Sequence, residues 1–176
     1  RLGTVALGAV ETGLITAGAA QMARRYGLPC RSVGAATESK REDIQAGMER
    51  TANLLPAVLA GVDFITCGGT LDSTMLESHA LLLLDDELCG MARRLAEGVL
   101  VDDETLGLEI VKEAGPGGNF LTLGHTARHF RREHYIPRLM VREGYSAWEK
   151  DGSRTALDRA RERVREILAN HRPREL

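Results

Sequence analysis

GPGGNFLTLGHTARHFRREHYIP, Gly115–Pro137, decides how the rest of the chain is read. Gly115, Gly117 and Gly118 surround Pro116, so the backbone must turn sharply and visit positive φ. Asn119, Phe120 and Leu121 follow, then His125 and His129, four residues apart. That spacing places both imidazoles on one face of a helix, expected over about Thr126–His134. Titratable donors directly after a glycine turn are an arrangement of binding sites rather than of plain connectors.

On either side the pattern is helical. Asp102–Ala114 reads as a helix with Leu106, Ile110 and Val111 inward. Asp102, Asp103 and Glu104 stand at its start, where the helix dipole favours anions. Pro137–Gly152 reads as irregular, anchored by Trp148. Thr155–His171 is an amphipathic helix with Leu157, Ala160, Val164, Ile167 and Leu168 on one stripe, and Thr155 with Asp158 suits a capping box.

The N-terminal half alternates. Gly3–Val10 suits a strand end and its loop. Glu11–Tyr26 is expected to be a helix burying Leu14, Ile15, Ala19, Met22, Ala23 and Tyr26, stopped by Gly27-Leu28-Pro29. Cys30–Ala36 reads as a strand and Thr37–Lys40 as a loop. From about Glu42 a second helix carries Ile44, Met48, Leu55 and Leu59 at helical spacing; Pro56 should kink or split it before Gly61 ends it. Val62–Cys67, VDFITC, is the strongest strand. Thr70–Ser73 is then a loop, and Met75–Gly98 a third helix whose Asp85-Asp86-Glu87 reads as a solvated face.

The chain has 176 residues, 43% of them hydrophobic, enough for one domain with a core. Aromatics are only 4% and glycines number 19, so that core must be aliphatic and packed from small residues. A net charge of −2 gives no drive toward nucleic acid or an anionic membrane, and the longest apolar run, Ala80–Leu84, is too short to span a bilayer. Three cysteines, Cys30, Cys67 and Cys89, form no CxxC pair and favour a reducing, cytoplasmic setting. The chain begins at Arg1 inside a Gly/Ala-rich motif, which suggests an N-terminally incomplete sequence.

Helix–strand–helix–strand–helix is a βα series with parallel strands. A complete (β/α)8 barrel takes about 250 residues. About three βα units with a helical tail can be part of a barrel or a small open α/β sheet.

Five places carry candidate chemistry. Thr37-Glu38-Ser39-Lys40, with Gln45 beyond, lies at the C-terminal end of a strand, where barrels place catalysis. Glu38 suits an acid or a site for a cationic amine, and Lys40 suits its partner or a carboxylate ligand; the plainer reading is an N-cap cluster at Ser39. Cys67-Gly68-Gly69 lies at the other strand end, where glycines let a ligand approach the backbone. Cys67 there is a thiol or simply a small hydrophobe, with no adjacent histidine to activate it. His79 sits where a folded loop can bring it to the pocket mouth. His125 and His129 have the spacing of two zinc ligands, but H-T-A-R-H lacks the Glu of H-E-x-x-H and shows no third ligand, so no metal is expected. Arg128, Arg131, Arg132, Arg138 and Arg142 make either an ordinary charged surface or a docking face for an acidic protein.

GPGGNFL, then HT, HFRRE and the proline two residues beyond Tyr135 resemble the C-terminal signature of the trimethylamine methyltransferase family. TESK followed by DIQAGME is similar to that family's T-D-S-K…D-x-Q-A-x-x-E, with Glu38 in place of the usual Asp. Ala80 and Leu81 depart from a family Glu-Lys pair, and Asn119 stands where the family usually has His. The resemblance runs along nearly the whole chain, so it implies one domain, residues 1–176, forming the C-terminal part of a TIM barrel. It implies transfer of a methyl group from a tertiary or quaternary amine to the cobalt(I) of a corrinoid. That cofactor, methylcobalamin, would be carried by a separate protein and not held tightly by this chain. The carried-over roles are catalytic for Glu38, Lys40 and His79, and substrate-binding for Thr37, Ser39, Gln45, Cys67, Gly68 and Gly69. Gly117, Gly118, Asn119, His125 and His129 would face the corrinoid. No position looks reserved for pyrrolysine, which favours a quaternary amine such as a betaine. The expected partners are the corrinoid protein, the small methylated amine and a second copy of the chain, with neither nucleic acid nor membrane. The alternatives are a non-catalytic half-barrel that binds the corrinoid protein or self-associates, and an unrelated α/β sugar- or phosphate-binding enzyme.

Overall fold

The computed structural model describes residues 5–175. The elements run α1 (Val10–Tyr26), β1 (Arg31–Val33), α2 (Ile44–Leu59), β2 (Phe64–Thr66), β3 (Thr70–Leu71), β4 (Leu76–Glu77), α3 (His79–Glu97), α4 (Asp103–Leu106), α5 (Leu108–Ala114), α6 (Gly124–Glu133), α7 (Tyr145–Lys150) and α8 (Ala156–Asn170). The class is α/β and dominated by helix. Its contacts divide it into two compact units, one running to Arg93 and resuming at Pro137, the other Arg94–Ile136.

The first unit holds the sheet. β1 pairs with β2 in parallel, Arg31 opposite Phe64 and Val33 opposite Thr66. β1–α2 and β2–α3 are the βα units present among the described residues. Both strands are shorter than the sequence predicts, three residues each. The expected Thr70–Ser73 loop is instead the first half of a hairpin, β3 antiparallel to β4, so α3 begins at His79 rather than Met75. The expected strand end at Gly3–Thr4 lies outside the described residues; residues 5–9 run as turn into α1.

The buried apolar residues among those described are alanines and leucines: Ala20, Ala35, Ala36, Ala46, Leu54, Ala57, Leu71, Ala80, Leu81, Ala92 and Ala160. This is the small-residue core that the composition demands. The inward faces of the first two helices nevertheless differ from the periodic reading. α1 buries Gly13, Thr16 and Ala20, while Leu14, Ile15, Met22 and Tyr26 are exposed. α2 buries Ala46, Arg50, Asn53, Leu54 and Ala57, while Ile44, Met48 and Leu59 are exposed. Small side chains decide this, because they let the helix backbones close. A Cβ on Gly13 would sit 2.9 Å from the Ala52 carbonyl and 3.2 Å from the Pro56 ring. That carbonyl is the acceptor that Pro56 cannot bond. α1 covers it, and α2 runs through Pro56 without splitting.

The Asp85-Asp86-Glu87 reading also needs correction. Asp85 and Glu87 are 4% and 3% exposed, so only Asp86 is solvated. Glu87 Oε1 accepts the Arg138 backbone N–H at 2.6 Å. The stretch expected to be irregular contains α7, and Trp148 anchors it through its indole N–H, donated to the Arg154 carbonyl at 2.9 Å. The capping box at Thr155 and Asp158 is present with both its bonds.

In the second unit the expected helix over Asp102–Ala114 is broken at Gly107, whose left-handed φ of 62° ends α4 and starts α5. Leu106 and Val111, expected inward, are exposed. α6 covers Gly124–Glu133, close to the predicted span.

Candidate functional site

Parallel pairing sends the chain out of β1 and β2 at one end, so the loops after Val33 and Thr66 share a rim. The first loop is built around Glu49 of α2. Thr37 is buried, and its hydroxyl donates to Glu49 Oε2 at 2.6 Å. The Glu38 N–H donates to the same oxygen at 2.7 Å, and Gln45 Nε2 to the other at 2.9 Å. Burial pushes the Glu49 carboxyl up, but these three donors outweigh it and hold the group below its ordinary range.

Glu38 is half-buried. Its Oε1 accepts the Gly8 N–H at 3.1 Å and faces the Ser73 hydroxyl in hydrogen-bond contact. Gly8 is a close approach: a Cβ there would lie 2.6 Å from Glu49 Oε2 and 2.7 Å from the Glu38 nitrogen. Lys40 donates to the Glu38 carbonyl at 2.7 Å and pairs with Asp72 at 2.8 Å. The hydrogen bond to Asp72 leads the causes that raise the Lys40 ammonium above its ordinary value. Ser39 is not the helix cap. Asp43 caps α2, accepting the Ala46 N–H at 3.0 Å, and Ser39 braces it by donating its hydroxyl at 2.9 Å.

The second loop is strained. Cys67, Asp72, Ser73 and Thr74 have φ of 77°, 47°, 50° and 74°, none of them glycine. Such backbone costs on the order of 1–3 kcal/mol per residue and persists only where neighbours impose it. Here the Asp72 N–H donates to the Ser39 carbonyl and the Ser73 N–H to the Thr37 carbonyl, both at 2.9 Å. The two loops are thereby locked edge to edge.

Behind the rim, Arg50 and Asp85 form a buried pair. Arg50 Nε donates to Asp85 Oδ1 at 2.7 Å and Nη2 to Oδ2. The guanidinium also donates to the carbonyl of Thr70 and, at 3.4 Å, to that of Cys67. Asp85 Oδ2 accepts the Gly69 N–H at 2.6 Å. One turn further along α2, Asn53 Nδ2 donates to the Gly8 carbonyl at 3.1 Å.

The structure therefore gathers Thr37, Glu38, Ser39, Lys40 and Gln45 on one rim, with Cys67, Gly68 and Gly69 in the neighbouring loop. The Cys67 thiol is free, half-buried and 3.8 Å from the Thr66 hydroxyl. The close neighbour of Gly68 and Gly69 is α3: a Cβ on Gly69 would meet Leu82 Cβ at 3.0 Å and the Ser78 carbonyl at 3.2 Å. His79 is exposed at the start of α3, and no hydrogen bond among the described residues joins it to Glu38 or Lys40.

The remaining candidates belong to the second unit. Gly117 has φ of 73° and open space where a Cβ would be. Gly118 is required by its own turn, since a Cβ would meet the Ala114 carbonyl oxygen at 1.9 Å. Asn119 accepts the Leu121 N–H at 3.0 Å. The His125 and His129 rings stack at 4.3 Å, and their Nε2 atoms lie 3.2 Å from the Glu104 carbonyl and 3.0 Å from Glu104 Oε1. Beside them is a cleft of about 540 Å³ lined by Asp103, Glu104, Leu108, His125 and Arg128. No group of three or more His, Cys, Asp or Glu among the described residues can hold a metal ion.

The whole chain, residues 1–176, matches the family model described as trimethylamine methyltransferase (MTTB). The chain belongs to the trimethylamine methyltransferase family. It is 38% identical to the glycine betaine methyltransferase of Desulfitobacterium hafniense (strain Y51), over 98% of this chain and 36% of that relative. It is 37% identical to the trimethylamine methyltransferase MttB of Methanosarcina thermophila, over 96% of this chain and 35% of that relative. The chain thus spans about a third of the length of the curated relatives it matches.

The stretch that resembles the family's T-D-S-K…D-x-Q-A-x-x-E is one hydrogen-bonded cluster in this member, from Thr37 to Glu49. Glu49 stood at the end of that stretch and is the acceptor that organises it. Gly8, Arg50, Asn53, Asp72 and Ser73 were missed. Arg50 and Asn53 lie on the buried face of α2 with Ala46, Leu54 and Ala57, opposite the Ile44, Met48 and Leu59 stripe that periodicity favours. The polar side chains of Asn119, His125 and His129 make hydrogen bonds within the second unit.

Proposed function

We infer that the rim of the first unit binds a methylated amine, and that the chain serves methyl transfer from it to the corrinoid of a separate carrier protein. The observation that carries this reading is Glu38. It stands at a strand's C-terminal end, held by Gly8 and Ser73, with Glu49 and Asp72 close by and Lys40 as the single ammonium. Three carboxylates against one ammonium favour a cationic guest. The relatives named glycine betaine methyltransferase and trimethylamine methyltransferase support the same chemical class.

A corrinoid on the carrier, when bound, would supply the nucleophile that accepts the methyl group. This chain's residues bind and orient the amine. A quaternary nitrogen is already cationic and leaves as a neutral amine, so Glu38 need only place it by charge. Lys40, 65% exposed at its side chain, suits the carboxylate of a betaine. A tertiary amine carries no permanent charge and would need a proton donor as well. The quaternary reading is therefore the better fit to this rim. Three free cysteines suit a reducing compartment such as the cytoplasm.

A second reading is supported by the exposed apolar side chains of α1 and α2, Leu14, Ile15, Ile44 and Met48 among them. On that reading the chain is a non-catalytic half-barrel that associates with the carrier or with its own copy. One assay separates the two. The chain is mixed with a reduced corrinoid carrier and a panel of betaines and methylamines, and the cobalt absorbance is followed. A change driven by one amine establishes methyl transfer. A folded chain that is inert with every amine, beside a carrier shown to be competent, rejects it.

A further inference from the structure

Three loops meet at the rim, and one turn of α2 reaches all of them. Glu49 holds the loop after β1, through the Thr37 hydroxyl at 2.6 Å and the Glu38 N–H at 2.7 Å. Arg50 holds the loop after β2, through the carbonyls of Thr70 and Cys67. Its partner Asp85 holds the same loop from α3, through the Gly69 N–H at 2.6 Å. Asn53 holds the segment before α1, through the carbonyl of Gly8 at 3.1 Å. Arg50 and Asn53 are 1% and 0% exposed, among the largest fully buried side chains of the described residues. They are polar groups at positions where apolar ones would pack at lower desolvation cost. Arg50 donates to loop carbonyls as well as to Asp85 of α3, and Asn53 to the Gly8 carbonyl as well as to the Glu49 carbonyl of its own helix. Arg50 and Asn53 are closed off from solvent, so neither is placed to touch substrate.

We propose that Glu49, Arg50 and Asn53 are positioning residues, a single helical turn that sets three separate loops and thereby fixes Glu38, Lys40 and Cys67 relative to one another. Glu49 sets the backbone of Glu38 directly. Asn53 sets Gly8, whose N–H holds the Glu38 carboxylate. Arg50 and Asp85 impose the turn in which Cys67 and Gly69 both take φ of 77°. Each loop has its own anchor on α2, besides the Asp72–Ser39 and Ser73–Thr37 backbone bonds that join two of them, so each should loosen most where its own anchor is removed. A merely structural helix would loosen the fold as a whole. The inference rests on the reading of this rim as the amine site for its purpose, but not for its geometry.

Amide hydrogen exchange on the whole chain tests it. Glu49→Ala is expected to speed exchange at Glu38 and Ser39 by about tenfold or more, and Asn53→Leu at Gly8 and Ala9, with α8 unchanged in both. Arg50→Met leaves Asp85 buried without its partner and can fail to fold. The double variant Arg50→Met/Asp85→Leu removes both charges and keeps the experiment decisive. It is expected to speed exchange at Gly69 and Thr70 while Glu38 and Ser39 stay protected. Arg50→Lys, which keeps a cation but not the fork, should restore part of that protection. Exchange that rises uniformly, or in none of the three loops, overturns the proposal even if the chain turns over amines. Loop-selective exchange in a chain that binds no amine leaves the positioning intact and counts against the functional reading instead.

Discussion

Arg50 and Asp85 stand 35 residues apart in sequence and meet fork to fork, two nitrogens on two oxygens, with almost no solvent contact. Removing one partner strands the other. Arg50→Met is expected to cost about 3–5 kcal/mol, whereas Arg50→Met/Asp85→Leu should cost clearly less because no unpaired charge remains. Denaturant midpoints of the two variants and the parent chain check this. Equal losses for single and double variants would mean that the pair's charge is not what the interior is built around.

Gly8→Ala should disturb the rim. Its Cβ would fall 2.7 Å from the Glu38 backbone nitrogen, which cannot swing aside as a side chain can. The expected result is lower thermal stability and loss of the Gly8–Glu38 hydrogen bond, read as faster exchange of the Gly8 amide. An alanine tolerated with both unchanged would contradict the close approach.

Glu49 supplies a pH signature. Its carboxyl is held below its ordinary value, so the folded state favours the ionised form more than the unfolded state does. The stabilisation is complete above the ordinary carboxylate range, about 4.3. It is lost as pH falls through the depressed folded value. The difference in melting temperature between the parent chain and Glu49→Gln should therefore be constant near neutrality and shrink in acid. A gap that widens on acidification would reverse the sign argued here.

Thr155→Ala removes one half of the capping box of α8, whose Thr155 hydroxyl accepts the Asp158 N–H at 3.1 Å. A loss of about 1 kcal/mol is expected, measured by denaturation. Thr155→Ser should restore most of it.

Local chemistry was legible in the sequence wherever one residue type settles the matter. The Gly27 stop, the Thr155–Asp158 box, the parallel pairing of the two predicted strands and the small-residue core all appear as read. Helix faces were not legible. Periodicity chose the large apolar residues of α1 and α2, whereas α1 buries Gly13, Thr16 and Ala20, with Gly13 small enough for the α2 backbone to approach and Thr16 bonded to Ser32 of β1. The same error hid Arg50 and Asn53, because a buried polar side chain leaves no apolar signature. For Asp85 the acidic run read as solvent-facing, and only the partner on α2 explains its burial. The rim loop around Glu38 and Lys40 was visible from its position after a strand. Its anchor through Asp72 and Ser73 depends on left-handed backbone at non-glycine residues, which no composition reveals.

The most direct measurement is calorimetric titration of glycine betaine into the chain and into its Glu38→Gln variant. The account predicts saturable binding to the parent chain, and binding at least about tenfold weaker when the carboxylate is neutralised, a loss of about 1.4 kcal/mol. Equal affinity in the two proteins, or no binding to a folded parent chain while the variant behaves identically, would contradict the claim that this rim is the amine site.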